Sequence, residues 1–294
     1  MKRMKLVLLS AFITASLFQI SGCRKNDWTS IPNGRDKCDF VSGSSTSISN
    51  DGTTLVPVFK KKYKPGTFKL EELLVQQLAT VGSYYDPVTF KVSYSGQKMF
   101  LVKHGNDTTT IEFDAQGKPR KVSSTEGFNP LTNYKFNYNN AGKLSEIKFQ
   151  YPEDTNDPTW YSFAKISYDG KKNVTKLVFH DGLRPYPDTY TYSYDYSKKP
   201  NGQYHPDEAY GQVYLFWQFI KHLNLFPELQ SENLLTGWTY TEDPEGYFKQ
   251  VVTTYSNQLF DSKNKLISYK ANRIEFGDNY PSTWFVDWNC LDKK

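Results

Sequence analysis

The sequence predicts an all-β protein: an antiparallel up-and-down meander of hairpin repeats, closed into a barrel or strongly curved, with one or two packing helices. Three observations predict it. Aromatics make up 16% of the 294 residues, with 22 Tyr and 20 Phe, and such side chains suit a pleated, half-buried surface. Hydrophobic content is 38%, low for a dense helical core but adequate for sheets whose outer faces are polar. From Val88 onward, apolar and polar residues alternate with period two, broken at intervals by short Asp/Asn/Gly turns.

The clearest unit is Thr132 to Tyr151, an aromatic alternating strand, a turn at Asn139-Asn140-Ala141-Gly142 and a second alternating strand. Thr110–Lys118, Phe136–Leu144, Ile166–Val174 and Tyr192–Pro200 repeat its centre. The aromatic before the turn falls at 113, 138, 168 and 194, at intervals of 25, 30 and 26. Asp or Asn follows the aromatic because its short side chain bonds nearby backbone N–H groups and tolerates a left-handed backbone. Gly then supplies positive φ without steric cost. The third unit, with Gly170, reads as a shortened turn. Lys marks the solvated edge, and Leu, Val or Ile resumes the inward face.

The other elements follow in chain order. Met1 to Cys23 reads as a targeting segment, set apart from the fold. Lys2, Arg3 and Lys5 form a basic start, and Leu6 to Ile20 is an apolar run of fifteen residues, shorter than the roughly 20 a spanning helix needs. Ile20-Ser21-Gly22-Cys23 resembles a bacterial lipobox. The resemblance implies that Cys23 is acylated on its thiol and becomes the first mature residue, with Arg24-Lys25-Asn26-Asp27 similar to a surface-export signal. Two or more acyl chains give stable anchoring. The expected organisation is a signal over 1–22, a lipidated tether over 23–54, rich in Ser and Gly from Val41 to Gly52, and one β-rich domain over 55–294.

Phe68 to Thr80 is a helix candidate, since Leu70, Leu73, Leu74 and Leu78 share a face at helical spacing. Val88–Tyr94 and Lys98–Val102 flank a hairpin turn at Ser95-Gly96-Gln97. Tyr204 to Phe226 breaks the rhythm and reads as a buried helical plug, with Asp207 as a cap and Pro227 as the stop. Strands resume at Tyr247–Tyr255, Lys265–Tyr269, Asn272–Phe276 and Thr283–Trp288. Cys38 and Cys290 are an even pair in an oxidising compartment, and so a candidate disulfide.

The charge of +5 includes three basic residues of the leader, so the mature chain carries +5 − 3 = +2. Its lysines are interleaved with acids, which gives no electrostatic footprint for nucleic acid. His104, His180, His205 and His222 stand in no zinc spacing, and no nucleophile elbow or P-loop occurs, so no catalytic residue, metal or cofactor is assigned. His205-Pro206-Asp207-Glu208 reads as a loop and cap, Glu153–Asp157 as a solvated turn, and Asp107-Thr108-Thr109 as a surface loop similar to a short O-glycosylation motif. Trp160, Trp217, Trp238 and Trp284 are the candidate ligand-binding aromatics. If they line a groove they suit a glycan or an envelope protein.

The Tyr-Asp hairpins resemble the YD repeats of large bacterial surface proteins. A fuller resemblance, over roughly residues 85 to 290, is to uncharacterised Bacteroidetes lipoproteins whose domain of unknown function has a porin-like fold. It is carried by Tyr194-Asp195 with Lys198-Lys199-Pro200-Asn201, by the aromatic segment through Phe226, and by Ser231-Glu232-Asn233. It implies a lipid-anchored protein of the outer membrane and transfers no catalytic residue. The expected function is a non-catalytic binding or scaffold module. The alternatives are a structural or assembly lipoprotein and a glycan-active hydrolase. The barrel itself is not expected to span the membrane, because its strands place Lys, Glu and Asn on the face away from the core.

Overall fold

The computed structural model describes residues 38–46, 55–65, 67, 69–75, 88–103, 108–124, 133–150, 159–180, 187–201, 203, 221–226, 229, 231–242, 249–275 and 277–290. Sixteen strands follow in order. They are β1 Cys38–Ser45, β2 Val56–Tyr63, β3 Leu70–Val75, β4 Val88–Ser95, β5 Lys98–Val102, β6 Thr108–Phe113, β7 Pro119–Ser124 and β8 Asn133–Tyr138. They continue as β9 Leu144–Gln150, β10 Tyr161–Tyr168, β11 Val174–Phe179, β12 Asp188–Asp195, β13 Leu234–Glu242, β14 Lys249–Phe260, β15 Leu266–Glu275 and β16 Asp278–Cys290. Each pairs antiparallel with its neighbours in sequence, and β1 pairs with β16, so the meander closes into a barrel. Closure removes the open edges that a curved sheet of this size would carry.

The strands form because side chains alternate across them and one set is buried. In β8 and β9, Tyr134 faces Phe149 and Phe136 faces Ile147, all four buried, while Lys135 faces Lys148 and Asn137 faces Glu146 on the outer side. An aromatic series lines the inner face of half the barrel. Ring centroids lie 6.2 Å apart for Phe149–Phe163, 5.9 Å for Phe163–Phe179, 5.6 Å for Phe179–Tyr190 and 5.7 Å for Tyr190–Trp238. Trp238 Nε1 donates to the Tyr255 hydroxyl at 2.9 Å, and Tyr255–Tyr269 and Tyr269–Trp284 carry the series on to β16. Edge and offset geometries of this kind add to the burial of the rings.

Three of the four repeated turns share one construction; at Asp195, Oδ1 accepts instead from the N–H and the hydroxyl of Ser197, and Lys198 is not left-handed. Oδ1 of Asp114 accepts from the N–H groups of Gln116 and Lys118, Asn139 does the same for Ala141 and Lys143, and Asp169 for Lys171 and Asn173. Asp261 repeats it for Lys263 and Lys265, a fourth turn of this construction and one outside the four sequence repeats. In the turns at 114, 139, 169 and 261 the third residue after the Asx is left-handed: Gly117 (φ 79°), Gly142 (72°), Lys172 (67°) and Asn264 (60°). The turn after Tyr168 is therefore not shortened. Its positive-φ position is Lys172, not Gly170.

Other expectations need correction. The helix expected over Phe68–Thr80 is β3 at Leu70–Val75; Leu70, Leu73 and Val75 are buried between β2 and β4, and pairing on both sides overrides helical leucine spacing. Its remainder, 76–80, lies outside the described residues. The stretch read as a tether contributes β1. Its Ser and Gly residues are ordered by β16 on one side and β2 on the other. Gly43 fits there because a Cβ would stand 2.5 Å from Cε1 of Phe59. Lys265–Tyr269 and Asn272–Phe276, read as two strands, fall on the single strand β15, which ends at Glu275. Asp107-Thr108-Thr109 is no surface loop at its described residues: Thr108 opens β6, and Thr109 is buried with its hydroxyl 3.3 Å from that of Ser124.

Candidate functional site

Three of the turns are tied to the one before. The tyrosine that precedes an Asx turn donates its hydroxyl to the carbonyl five residues past the previous Asx: Tyr138 to Pro119 (2.7 Å), Tyr168 to Leu144 (2.8 Å) and Tyr194 to Val174 (2.6 Å). Trp288 uses its indole N–H on Leu266 in the same way (2.8 Å). A lysine covers the aromatic face in these ties: Lys118 over Tyr138, Lys143 over Tyr168 and Lys265 over Trp288, at 4.8, 4.4 and 5.0 Å. Tyr and Lys of the repeat thus have structural work along this rim.

The chain leaves this rim after β12 and returns at β13. Asn173 is fully buried there. Its amide donates to Asn233 Oδ1 and to Asp169 Oδ2, and its oxygen accepts from Asn233 N–H. Ser231 accepts from Val174 N–H through its hydroxyl oxygen, and Gln203 spans the Ser231 and Asn233 carbonyls. The segment Ser231-Glu232-Asn233 therefore fastens the excursion to the third repeat.

The described end of the Tyr204–Phe226 segment enters the barrel from this rim. Lys221 and His222 are helical, and His222, Leu223, Leu225 and Phe226 are buried. His222 stacks on Phe59 of β2 at 4.6 Å, and Phe226 meets Phe136 of β8 at 4.8 Å, so six residues bridge strands far apart around the wall. The plug reading holds for these residues; Trp217 and the rest of the segment lie outside the described residues.

Under this segment sits a buried polar cluster. Lys61 Nζ and Asp39 Oδ2 are 2.9 Å apart, with the side chains 1% and 8% exposed. Tyr63 donates its hydroxyl to Asp39 Oδ2, and Asn224 donates to Oδ1 at 3.2 Å. Lys61 also lies 3.8 Å from the centre of the Phe40 ring. Burial lowers the Lys61 pKa, and Asp39 opposes the shift. Burial raises that of Tyr63, with the Asp39 charge adding to it. Burial, then Lys61 and Lys221, hold His222 well below its ordinary value. The set is one acid, one base and neutral donors that satisfy each other, which is the chemistry of a fastening. Period two in Phe59-Lys60-Lys61-Lys62-Tyr63 was the available signal: it puts Lys61 on the side of Phe59.

The predicted aromatics do not converge. Trp238 and Trp284 are 2% and 3% exposed within the packed interior. Trp160 is partly exposed, with Lys135 4.3 Å from its ring centre. Cys23 and Cys38's side chain lie outside what is described; Cys290 is disulfide-bonded, and Cys38 is its register partner across β1–β16. Among the described residues, no group of three or more His, Cys, Asp or Glu is placed to hold a metal ion.

The fold and this interior define a class: a closed sixteen-strand antiparallel barrel with an apolar, aromatic inside and an outside that is polar over β8 to β11. A porin-like protein from Bacteroides uniformis has a similar fold, at TM-score 0.57 and 17% identity, with 88% of this chain and 99% of that chain covered. A porin-like protein from Bacteroides vulgatus is matched at TM-score 0.48 and 13% identity, covering 85% and 98%. No protein-family profile and no curated protein matches the chain.

Proposed function

We propose that the chain is a non-catalytic binding or scaffold module of the cell envelope, held to the outer membrane by fatty acids on Cys23. The polarity of the two barrel faces carries this reading. Lys135, Lys148, Lys165 and Lys176 stand on the outer face with Glu146, while the inner face is aromatic. A conducting, membrane-crossing barrel has the reverse arrangement, and each outward Lys near the bilayer midplane would cost about 2–4 kcal/mol. The barrel thus stands in water and needs a separate anchor, which the Ile20-Ser21-Gly22-Cys23 sequence supplies.

Three described carboxylates are held below their ordinary range by their neighbours. Glu112 is held low by a hydrogen bond from Lys98. Burial pushes Asp169 up, but hydrogen bonds from Asn173, Tyr196 and Lys171 outweigh it. Asp195 is held low by the Ser197 hydroxyl and N–H.

The test is metabolic labelling with a fatty-acid probe in a host that processes lipoproteins. The wild-type chain takes up label and sediments with membranes, and Cys23→Ala loses the label. The reading fails if label is absent from the wild type, or if the barrel freed of its anchor by protease needs detergent to stay in solution. The same material tests a Cys38–Cys290 bridge, which joins the two terminal peptides under non-reducing conditions.

A further inference from the structure

Large exposed hydrophobics are not spread evenly around the barrel. Of the eight among the described residues, Leu259, Ile267, Ile274, Tyr280 and Phe285 all belong to β14, β15 and β16. Phe285 lies between buried Trp284 and Val286, so it points outward. It faces Ser268, and Ser268 faces Leu259 on the next strand. Ser268 is on the outer side yet only 9% exposed, so its two neighbours cover it and form one ridge. Leu259 is 58% exposed, Phe285 45% and Ile267, beside Ser268, 36%.

The ridge occupies a particular place. β16 pairs with β1, and β1 begins at Cys38, where the anchored part of the chain joins the barrel. Residues 24–37 alone separate Cys38 from Cys23. Even fully extended, a stretch of this length reaches no more than about 50 Å, which bounds how far the neighbouring wall can stand from the bilayer. The nearest carboxylate along the strand, Asp287, accepts from the Ser42 hydroxyl at 2.5 Å. Lys270, exposed, stands on the outer face one strand pair along from the ridge, opposite Thr283.

We propose that the outer ridge Leu259–Ser268–Phe285, with Ile267, is a second membrane contact that rests on the lipid surface to which Cys23 is anchored. This rests on the anchored reading above. Acyl chains alone would leave the barrel free to tumble on its tether. An apolar ridge beside the point of attachment fixes which wall faces the headgroups and turns the opposite wall, with Lys135 and Lys165, toward water. Amphipathic surfaces bind bilayers through this kind of shallow apolar insertion.

The experiment uses the full chain in its native envelope. Phe285→p-benzoylphenylalanine, and independently Leu259→p-benzoylphenylalanine, are irradiated, with Lys165→p-benzoylphenylalanine on the far wall as the comparison. The expected result is a mass increase of one phospholipid at 285 and 259 and none at 165. A band at twice the chain mass, a cross-link to another protein, or no product at both ridge positions overturns the proposal. Acylation of Cys23 is read in the same samples. An unlabelled Cys23 sinks the anchor, whereas a labelled chain without lipid adducts at the ridge sinks only the second contact.

Discussion

Single residues decide how well this barrel tolerates its own turns. Lys172 holds φ 67° where the equivalent residues are Gly117 and Gly142. A left-handed backbone costs a side-chain-bearing residue about 1–2 kcal/mol. The Lys172–Glu232 ion pair at 3.1 Å is largely exposed and offsets little of that. Lys172→Gly should stabilise the protein by about 0.5–1 kcal/mol, less than the full relief because Gly also gains freedom in the unfolded chain; a denaturant midpoint shifted downward would refute this. His222 carries a second prediction. Its folded pKa is depressed below 6.5, so the unfolded state takes up the proton first as the solution is acidified. Its contribution is complete above about pH 6.5 and is lost as pH falls below that, with a slope of up to about 1.4 kcal/mol per pH unit. Unfolding free energies from pH 8 to pH 5 should show this decline, and His222→Phe, which keeps a ring against Phe59, should flatten it.

Elements in this chain are legible where their signal is local. The hairpins at Asp114, Asn139 and Asp169 could be read because an Asx side chain and a left-handed residue leave a short written signature. β1 and β3 could not. Cys38–Ser45 has one large inward side chain, Phe40, and Leu70–Val75 has leucines at helical spacing, so both owe their conformation to the partners on either side. The buried cluster was hidden for a related reason: Asp39, Lys61 and Asn224 are distant in sequence, and only the register brings them together. The tie between successive hairpins is testable on its own. Tyr168→Phe removes the hydroxyl that meets the Leu144 carbonyl and leaves the ring under Lys143. The expected loss is about 0.5–1.5 kcal/mol of unfolding free energy. Tyr161→Phe, at a residue 40% exposed, should cost less, and equal losses at the two positions would remove the tie from the account.

At the scale of the whole molecule, the barrel is an inside-out relation of a membrane pore: the same closure with the polarities exchanged. That exchange was visible in the period-two alternation of Lys143-Leu144-Ser145-Glu146-Ile147-Lys148-Phe149, but the number of strands was not, because closure depends on the pairing of β1 with β16. This pairing has a consequence for biogenesis. The Ser42–Asp287 contact joins positions 245 residues apart, so the first strand emerges from the ribosome long before its mate exists. Until then the growing sheet offers two unsatisfied margins to any passing polypeptide. Non-local pairing of this kind is also slow. The C-terminal strand therefore has to reach a chain that is still open, and a nonsense mutation just upstream of β16 would release a product with both margins exposed.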